Sequence, residues 1–173
     1  MSKKVLVACE ESQTVCKAFR ARGFEAYSCD IQDCSGGHPE WHIKGDVLPL
    51  LNGDISFTTV GGCDVTIKGK WDLIIAHPPC TYISNAGVRF LYPGGKGILN
   101  EARVRKGIEA THFFMQMLSA NCDHIAVENP IPSTVYMLPK YTQVIQPWMF
   151  GHPVQKKTCL WLKGLPELKP TNI

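Results

Sequence analysis

The sequence holds no apolar run long enough to cross a membrane, no low-complexity tract and no internal repeat. Those absences leave out a membrane-spanning protein, a solenoid and a disordered chain. An export signal is also missing. Met1-Ser2-Lys3-Lys4-Val5-Leu6-Val7 passes from two lysines into a stretch that Glu10 and Glu11 close, too short for the apolar core of a signal peptide. The expectation is a cytoplasmic protein with no membrane partner. A disulfide framework is not indicated either, because the eight cysteines fall in apparent strands and helices of a chain without an export signal, where reduced thiols are the rule. Charge of one sign is scarce: 18 Lys and Arg against 15 acidic residues leave +3, and the basic residues are spread along the chain rather than clustered. That balance is compatible with nucleic acid and does not call for it. What remains is ordinary: 173 residues, 45% hydrophobic and 19% charged, the size of a single domain spanning 1–173 with a real core.

The chain is organised around Trp71-Asp72-Leu73-Ile74-Ile75-Ala76-His77-Pro78-Pro79-Cys80. Leu73 to Ala76 is a short continuous apolar run, as a central parallel strand needs, and the prolines forbid the ladder from continuing. Cys80 then stands at a rigid strand end, where open α/β sheets place ligands and chemistry. A lone cysteine is more often a small buried hydrophobe than a nucleophile. Around this stretch, strands alternate with helices. Lys4 to Ala8 reads as a first buried strand, Glu11 to Arg22 as a helix with Ser12 near its cap, and Glu25 to Cys29 as a second strand. Ile43 to Val47 reads as a short third strand, Asp54 to Lys70 as a hairpin around Gly61-Gly62, and Glu101 to about Ala120 as a helix capped by Asn100. On that helix Val104, Ile108, Phe114, Met117 and Leu118 fall near the buried face. His124 to Val127 is a further strand that runs into Glu128-Asn129-Pro130. The pattern predicts an α/β, Rossmann-like, mostly parallel sheet with helices on both faces.

Two acids close strands. Asp30 follows the second strand, 22 residues after Ala8, the spacing at which doubly wound folds set a carboxylate on the ribose hydroxyls of an adenosine ligand. Asp46 ends the third and can accept from an adenine amino group. Cys29, Cys34, His38 and His42 follow a C-x4-C-x3-H-x3-H spacing that only superficially suggests zinc, since structural sites separate their ligand pairs by a longer element. No metal is expected. The segment from Thr81 to Leu99 contains Gly87, Gly94, Gly95 and Gly97, too long and glycine-rich for an ordinary connection, and reads as a functional lid or a simply mobile loop. Neighbouring parallel strands would bring Cys80 and Glu128 to one crevice, a thiol beside a carboxyl.

These residues together resemble the catalytic core of the DNA cytosine-5 methyltransferases, in the short form found as phage and prophage methylase-like proteins. Asp72 to Cys80 is similar to the family's nucleophile motif, Val127-Glu128-Asn129-Pro130 to its Glu-Asn motif, and Gln155 to Leu162 to its Gln-x-Arg-x-Arg strand. Order and spacing agree from about residue 4 to 165. The resemblance implies the S-adenosylmethionine-dependent methyltransferase fold, that cofactor, and DNA or a pyrimidine nucleotide as substrate, in a bacterial or phage-infected cell. It implies Cys80 as the thiolate that adds to cytosine C6, Glu128 as the carboxyl that compensates charge at N3, and Asn129 as the residue that orients the loop. Lys157 stands at the first arginine of the last motif and joins the catalytic set. Ala8, Glu10, Ser12, Asp30, Asp46 and Pro78 would line the cofactor site, and Pro79, Ser84 and Gln155 would meet the substrate. The loop after Cys80 matches the family's loop that closes on a flipped nucleotide.

Departures from the family's pattern set the alternatives. Where its first motif is glycine-rich, this chain has Ala8-Cys9-Glu10-Glu11-Ser12-Gln13, so side chains occupy space near the cofactor and Glu10 is placed to pair with its ammonium. Cys159 replaces the second arginine. The resemblance gives no separate target-recognition domain and no last cofactor-side helix, so sequence-specific duplex methylation would call for a protein partner. His77-Pro78-Pro79-Cys80 also shares its prolines with amino-methyltransferases but lacks their flanking residue types. The remaining alternative is a non-catalytic nucleotide- or protein-binding phage protein that keeps the fold.

Overall fold

The computed structural model of the chain describes residues 2–93 and 97–171. Its strands are β1 (Lys4–Ala8), β2 (Glu25–Asp30), β3 (His42–Lys44), β4 (Ile55–Thr58), β5 (Asp64–Ile67), β6 (Leu73–Ala76), β7 (Ile125–Pro130), β8 (Gln143–Ile145) and β9 (Thr158–Lys163). Its helices are α1 (Thr14–Arg20), α2 (Asn85–Val88) and α3 (Glu101–Leu118). Seven strands form one sheet in the order β3-β2-β1-β6-β7-β9-β8. The pairs from β3 through to β7 are parallel, and β9 runs antiparallel to both of its neighbours. The chain is therefore α/β, with a mostly parallel mixed sheet and few helices.

Apolar runs explain the middle of the sheet. Val5, Leu6, Val7 and Ala8 are all fully buried, which a strand achieves only with both faces covered. Leu6 and Ala8 pack in one cluster with Ile74, Ala76, Ile125, Val127 and the α3 residues Phe114 and Met117. Val5 and Val7 pack in another with Cys16, Val15 and Phe19 of α1. Each such fully buried large side chain contributes roughly 1.5–3 kcal/mol. Trp71, just before β6, anchors the first cluster, and its indole N–H donates to the Leu50 carbonyl at 2.7 Å. The β4–β5 hairpin pairs Ile55 with Ile67 and Phe57 with Val65, and these residues close over Trp71 and Tyr27.

The topology opens a crevice where it reverses. From β1 the chain passes through α1 to β2 on one side, whereas β6 lies on the other side of β1. The connections leaving the carboxyl ends of β1 and β6 therefore part, and ligands of open α/β sheets bind at such a point.

Several boundaries differ from the sequence expectation for identifiable reasons. Helix α1 begins at Thr14 rather than residue 11, because Gln13 takes a left-handed conformation (φ 57). On α3, Ile108 is 49% exposed while Gly107 is buried beneath the Tyr136 ring; the ring needs a position without a Cβ, so the buried stripe runs through Gly107, Phe114 and Met117. Asn100 caps α3 as expected, its side chain accepting from the Arg103 amide at 3.0 Å. The segment after Cys80 is ordered into α2 and a 3-10 turn at Arg89–Leu91, although Gly94 and Gly95 of that loop lie outside the described residues. Strand β8, with no strong apolar pattern, was not expected.

Candidate functional site

Strands β6 and β7 run side by side, with Ala76 paired to Val127. His77 continues the ladder by one residue, its amide donating to the Ala8 carbonyl at 2.9 Å, and Pro78-Pro79 then ends it. The next residue of β7 after Glu128 is Asn129, fully buried, whose Nδ2 donates to the Pro78 carbonyl at 3.3 Å. That bond ties the loop carrying Cys80 to the strand carrying Glu128. Cys80 is half-buried, and its carbonyl accepts from the Ser84 amide at 3.1 Å. The Glu128 carboxylate lies 3.4 Å from Nδ1 of His77, both side chains being partly exposed. Two buried atoms here have no hydrogen-bond partner, Nε2 of His77 and Oδ1 of Asn129. Unsatisfied buried polar groups are rare and cluster where function requires them.

The thiols separate by environment. Burial, followed by the charge of Asp30, pushes the Cys9 thiol up to about 12, and burial does the same to Cys29. Burial and then Glu10 raise Cys16 to about 11. Cys122 and Cys159 are raised by burial as well, Cys159 also by Glu128. A thiol held protonated in this way is a poor nucleophile at neutral pH. Cys80 is half-buried, as Cys9 and Cys34 are, and follows β6 with Glu128 on the adjacent β7; it lines neither of the two polar cavities at the strand ends.

Polar cavities open at the loops after β1, β2 and β3. Cys9, Glu10, Ser12, Asp30 and Gln32 line a polar cleft of about 410 Å³ together with His77 and Glu128. Cys9, Asp30 and Gln32 also line an adjoining cavity of about 240 Å³, with Asp46, Gly45 and Pro79. Asp30 accepts from the Gln32 amide through Oδ1, and Asp46 from the Leu48 amide through Oδ1, at 3.0 Å each. Each keeps its other carboxylate oxygen for a ligand. Glycine is absent after β1, yet Cys9 (φ 60) and Gln13 (φ 57) take the left-handed conformation that glycine adopts without strain. The backbone path of a glycine-rich turn is thus kept with other residues. Gln13 is locked there: Nε2 donates to the His38 carbonyl at 2.8 Å and Oε1 accepts from the His38 amide at 3.0 Å.

Glu10 has a structural task that its sequence position did not reveal. It is buried, and its two carboxylate oxygens accept from the amides of Val15 at 2.6 Å and Cys16 at 3.1 Å. It serves as the cap of α1, where Ser12 was expected; the Ser12 hydroxyl reaches only Thr14, accepting from its amide at 3.4 Å and lying 3.2 Å from its hydroxyl. Ala8 is fully buried in β1 and Pro78 is buried behind Pro79. Ser84 is a helix cap too, its hydroxyl accepting from the Gly87 amide at 3.3 Å. Gln155 and Lys157 are exposed and precede β9, in which Cys159 pairs with Asn129. The C-x4-C-x3-H-x3-H residues go separate ways. His42 is buried between the Ser28 hydroxyl (2.9 Å) and the Gln32 carbonyl (3.0 Å), while His38 stacks on Trp41. Among the described residues no group of three or more His, Cys, Asp or Glu is placed to hold a metal ion.

His77 was missed by the sequence reading, and only the pairing of β6 with β7 reveals it. A larger hollow of about 590 Å³ lies on the Val15–Phe19 side of the sheet, lined by Leu73, Ile75, Ala126, Leu160 and Leu162, with His77 and Glu128 at one end. It is almost wholly apolar, so the polar cleft is the better match to a nucleoside-bearing ligand. No model of a known protein family matches this chain, and no curated protein matches it. No helix among the described residues is long and apolar enough to cross a membrane.

Proposed function

We propose that this chain transfers a methyl group from S-adenosylmethionine to C5 of a pyrimidine, cytosine in DNA being the foremost substrate, through a covalent bond to Cys80. The observation that carries this reading is the Asn129-to-Pro78 bond, which fastens the Cys80 loop to the strand bearing Glu128. A helix packed against each face of the central strands, a topological reversal at β1 and β6, and acids at the ends of β2 and β3 support the Rossmann-like form of the fold.

The cleft fits the adenosine half of the cofactor. Asp30 and Asp46 each present a free carboxylate oxygen in one cavity beside Pro79, suited to ribose hydroxyls and an adenine amino group. At the methionine half, Glu10 lines the cleft while its two oxygens already accept from α1 amides. When bound, S-adenosylmethionine supplies an electrophilic methyl carbon on a sulfonium sulfur. The chain's own residues do the rest. The Cys80 thiolate forms a bond to pyrimidine C6, which displaces the C5–C6 π electrons and makes C5 nucleophilic. Glu128 holds or protonates N3, where negative charge gathers, and His77 keeps its carboxyl in place. After C5 is methylated, loss of the C5 proton lets the C6–S bond break and returns the thiolate.

A second reading, a non-catalytic nucleotide- or protein-binding phage protein, is favoured by the engagement of Glu10 and by the Cys9 side chain in the cleft. Calorimetric titration with S-adenosylmethionine, followed by methyl-transfer assays on dCMP, dUMP, single strands and duplexes, separates the two. Binding, plus transfer to one substrate that Cys80→Ser abolishes, supports the enzyme; absence of cofactor binding moves the chain to the second reading. Selectivity for a duplex sequence would come from a protein partner.

A further inference from the structure

Between residues 81 and 106 lie Arg89, Lys96, Arg103, Arg105 and Lys106 against the single acid Glu101. That is a local excess of four in a chain whose net charge is +3, so the remainder of the protein is slightly acidic. The same segment exposes aromatics, Phe90 at 49% and Tyr92 at 51%. The two sets meet. The Arg103 guanidinium sits 4.8 Å from the Tyr82 ring centre and 5.0 Å from that of Phe90, Arg89 lies 4.6 Å from Phe90, and Lys106 lies 5.8 Å from Tyr82. Arg103 is fixed by its own bonds to the carbonyls of Thr81 (3.1 Å) and Gly87 (3.0 Å). Its Nε and Nη2 are engaged, and Arg89 and Lys106 beside the same rings remain to meet phosphates.

We propose that Tyr82, Phe90 and the surrounding Arg89, Arg103 and Lys106 form a platform for an unpaired nucleic-acid strand, which it delivers to Cys80 two residues before Tyr82. Phe90 is half-exposed and Tyr82 half-buried, each with cations against its ring; a base released from pairing can stack on such a ring, whereas duplex bases are occupied by their neighbours. A surface built for phosphates alone has no use for half-exposed Phe90. This inference rests on the pyrimidine reading above and narrows its substrate to single strands or locally opened duplex.

The test is fluorescence anisotropy of the full chain with a labelled 12-nucleotide cytosine-containing DNA strand, its RNA counterpart and the matching duplex, over a range of salt. The strand should bind more tightly than the duplex. Phe90→Ala, with an unchanged unfolding midpoint, should weaken strand binding by roughly 10-fold or more and leave duplex binding unaltered. Lys106→Gln should lower the slope of log affinity against log salt by about 0.7. Phe90→Leu, which keeps an apolar side chain and removes the ring, distinguishes stacking from packing and should behave like alanine. Duplex binding equal to or tighter than strand binding, or strand affinity indifferent to Phe90→Ala and Phe90→Leu, overturns the platform. Methyl transfer and Cys80 adducts are scored separately. Strand binding without either sinks the methyltransferase reading and leaves the platform, while transfer to duplex that ignores Phe90 does the reverse.

Discussion

Replacing Glu10 by alanine removes both acceptors at the start of α1, the amides of Val15 and Cys16 losing their carboxylate partners. A helix of seven residues does not persist by itself and depends on packing and on its cap. Hydrogen bonds to a charged group contribute about 1.5–3 kcal/mol each. Water can enter beside exposed Thr14 and recover part of that, so the expected loss is about 3 kcal/mol rather than the full sum. For a domain of this size that lowers Tm by roughly 6–12 °C. Glu10→Gln keeps one carbonyl oxygen for the Val15 amide but turns an NH2 toward Cys16, and should lose about 1–2 kcal/mol. Urea unfolding measures the loss, and calorimetry with S-adenosylmethionine measures whether the cofactor notices. The capping account predicts an unstable variant whose folded fraction binds cofactor normally. A Glu10→Gln protein as stable as the wild type, with cofactor affinity down tenfold or more, would refute it and make Glu10 the ammonium partner.

Alkali should destabilise the fold in a defined window. Unfolded thiols ionise near 9.0, whereas folded Cys9 and Cys29 keep their protons to about 12 and Cys16 to about 11. Between those values the folded state binds more protons, so stability is intact below pH 9 and declines as pH rises toward 12; a urea midpoint that stays flat from pH 8 to 11 contradicts this. Gly107→Ala gains about 1 kcal/mol of helix propensity but drives a Cβ into the Tyr136 ring, where overpacking costs about 1–3 kcal/mol. A net loss near 1 kcal/mol is expected, and the sign should reverse when Gly107→Ala is made in a Tyr136→Ala background.

Much of the scaffold was legible because its signals are local. Val5 to Ala8 and Leu73 to Ala76 announce buried strands by being apolar throughout, Pro78-Pro79 announces a strand end, and Asn100 announces the start of α3. What the sequence hides is pairing between distant residues. Nothing in the order of residues says that His77 meets Glu128, or that Asn129 reaches the Pro78 carbonyl; only the neighbouring of β6 and β7 does. The capping task of Glu10 is hidden because its acceptors serve amides five and six positions later, outside the usual cap spacing. The missing glycines after β1 imply side chains in the space near the cofactor, yet Cys9 and Gln13 keep the left-handed backbone, a strain tolerated at Gln13 because its side-chain amide bonds both the amide and the carbonyl of His38. The basic residues look dispersed because only the packing of the 3-10 turn at Arg89–Leu91 against α3 brings 89, 103 and 106 together.

The most direct measurement of the central claim is mass spectrometry of the Cys80 peptide after the protein is incubated with S-adenosylmethionine and a strand containing 5-fluorodeoxycytidine. Fluorine at C5 cannot leave as a cation once the methyl is in place, so the bond from Cys80 to C6 should persist through denaturation. Cys80→Ser should give no adduct, and Glu128→Gln should slow its formation by roughly 10²-fold while cofactor affinity is unchanged. Cofactor and strand both bound, with the Cys80 peptide unmodified in single-stranded, duplex and mononucleotide forms of the probe, would contradict the mechanism.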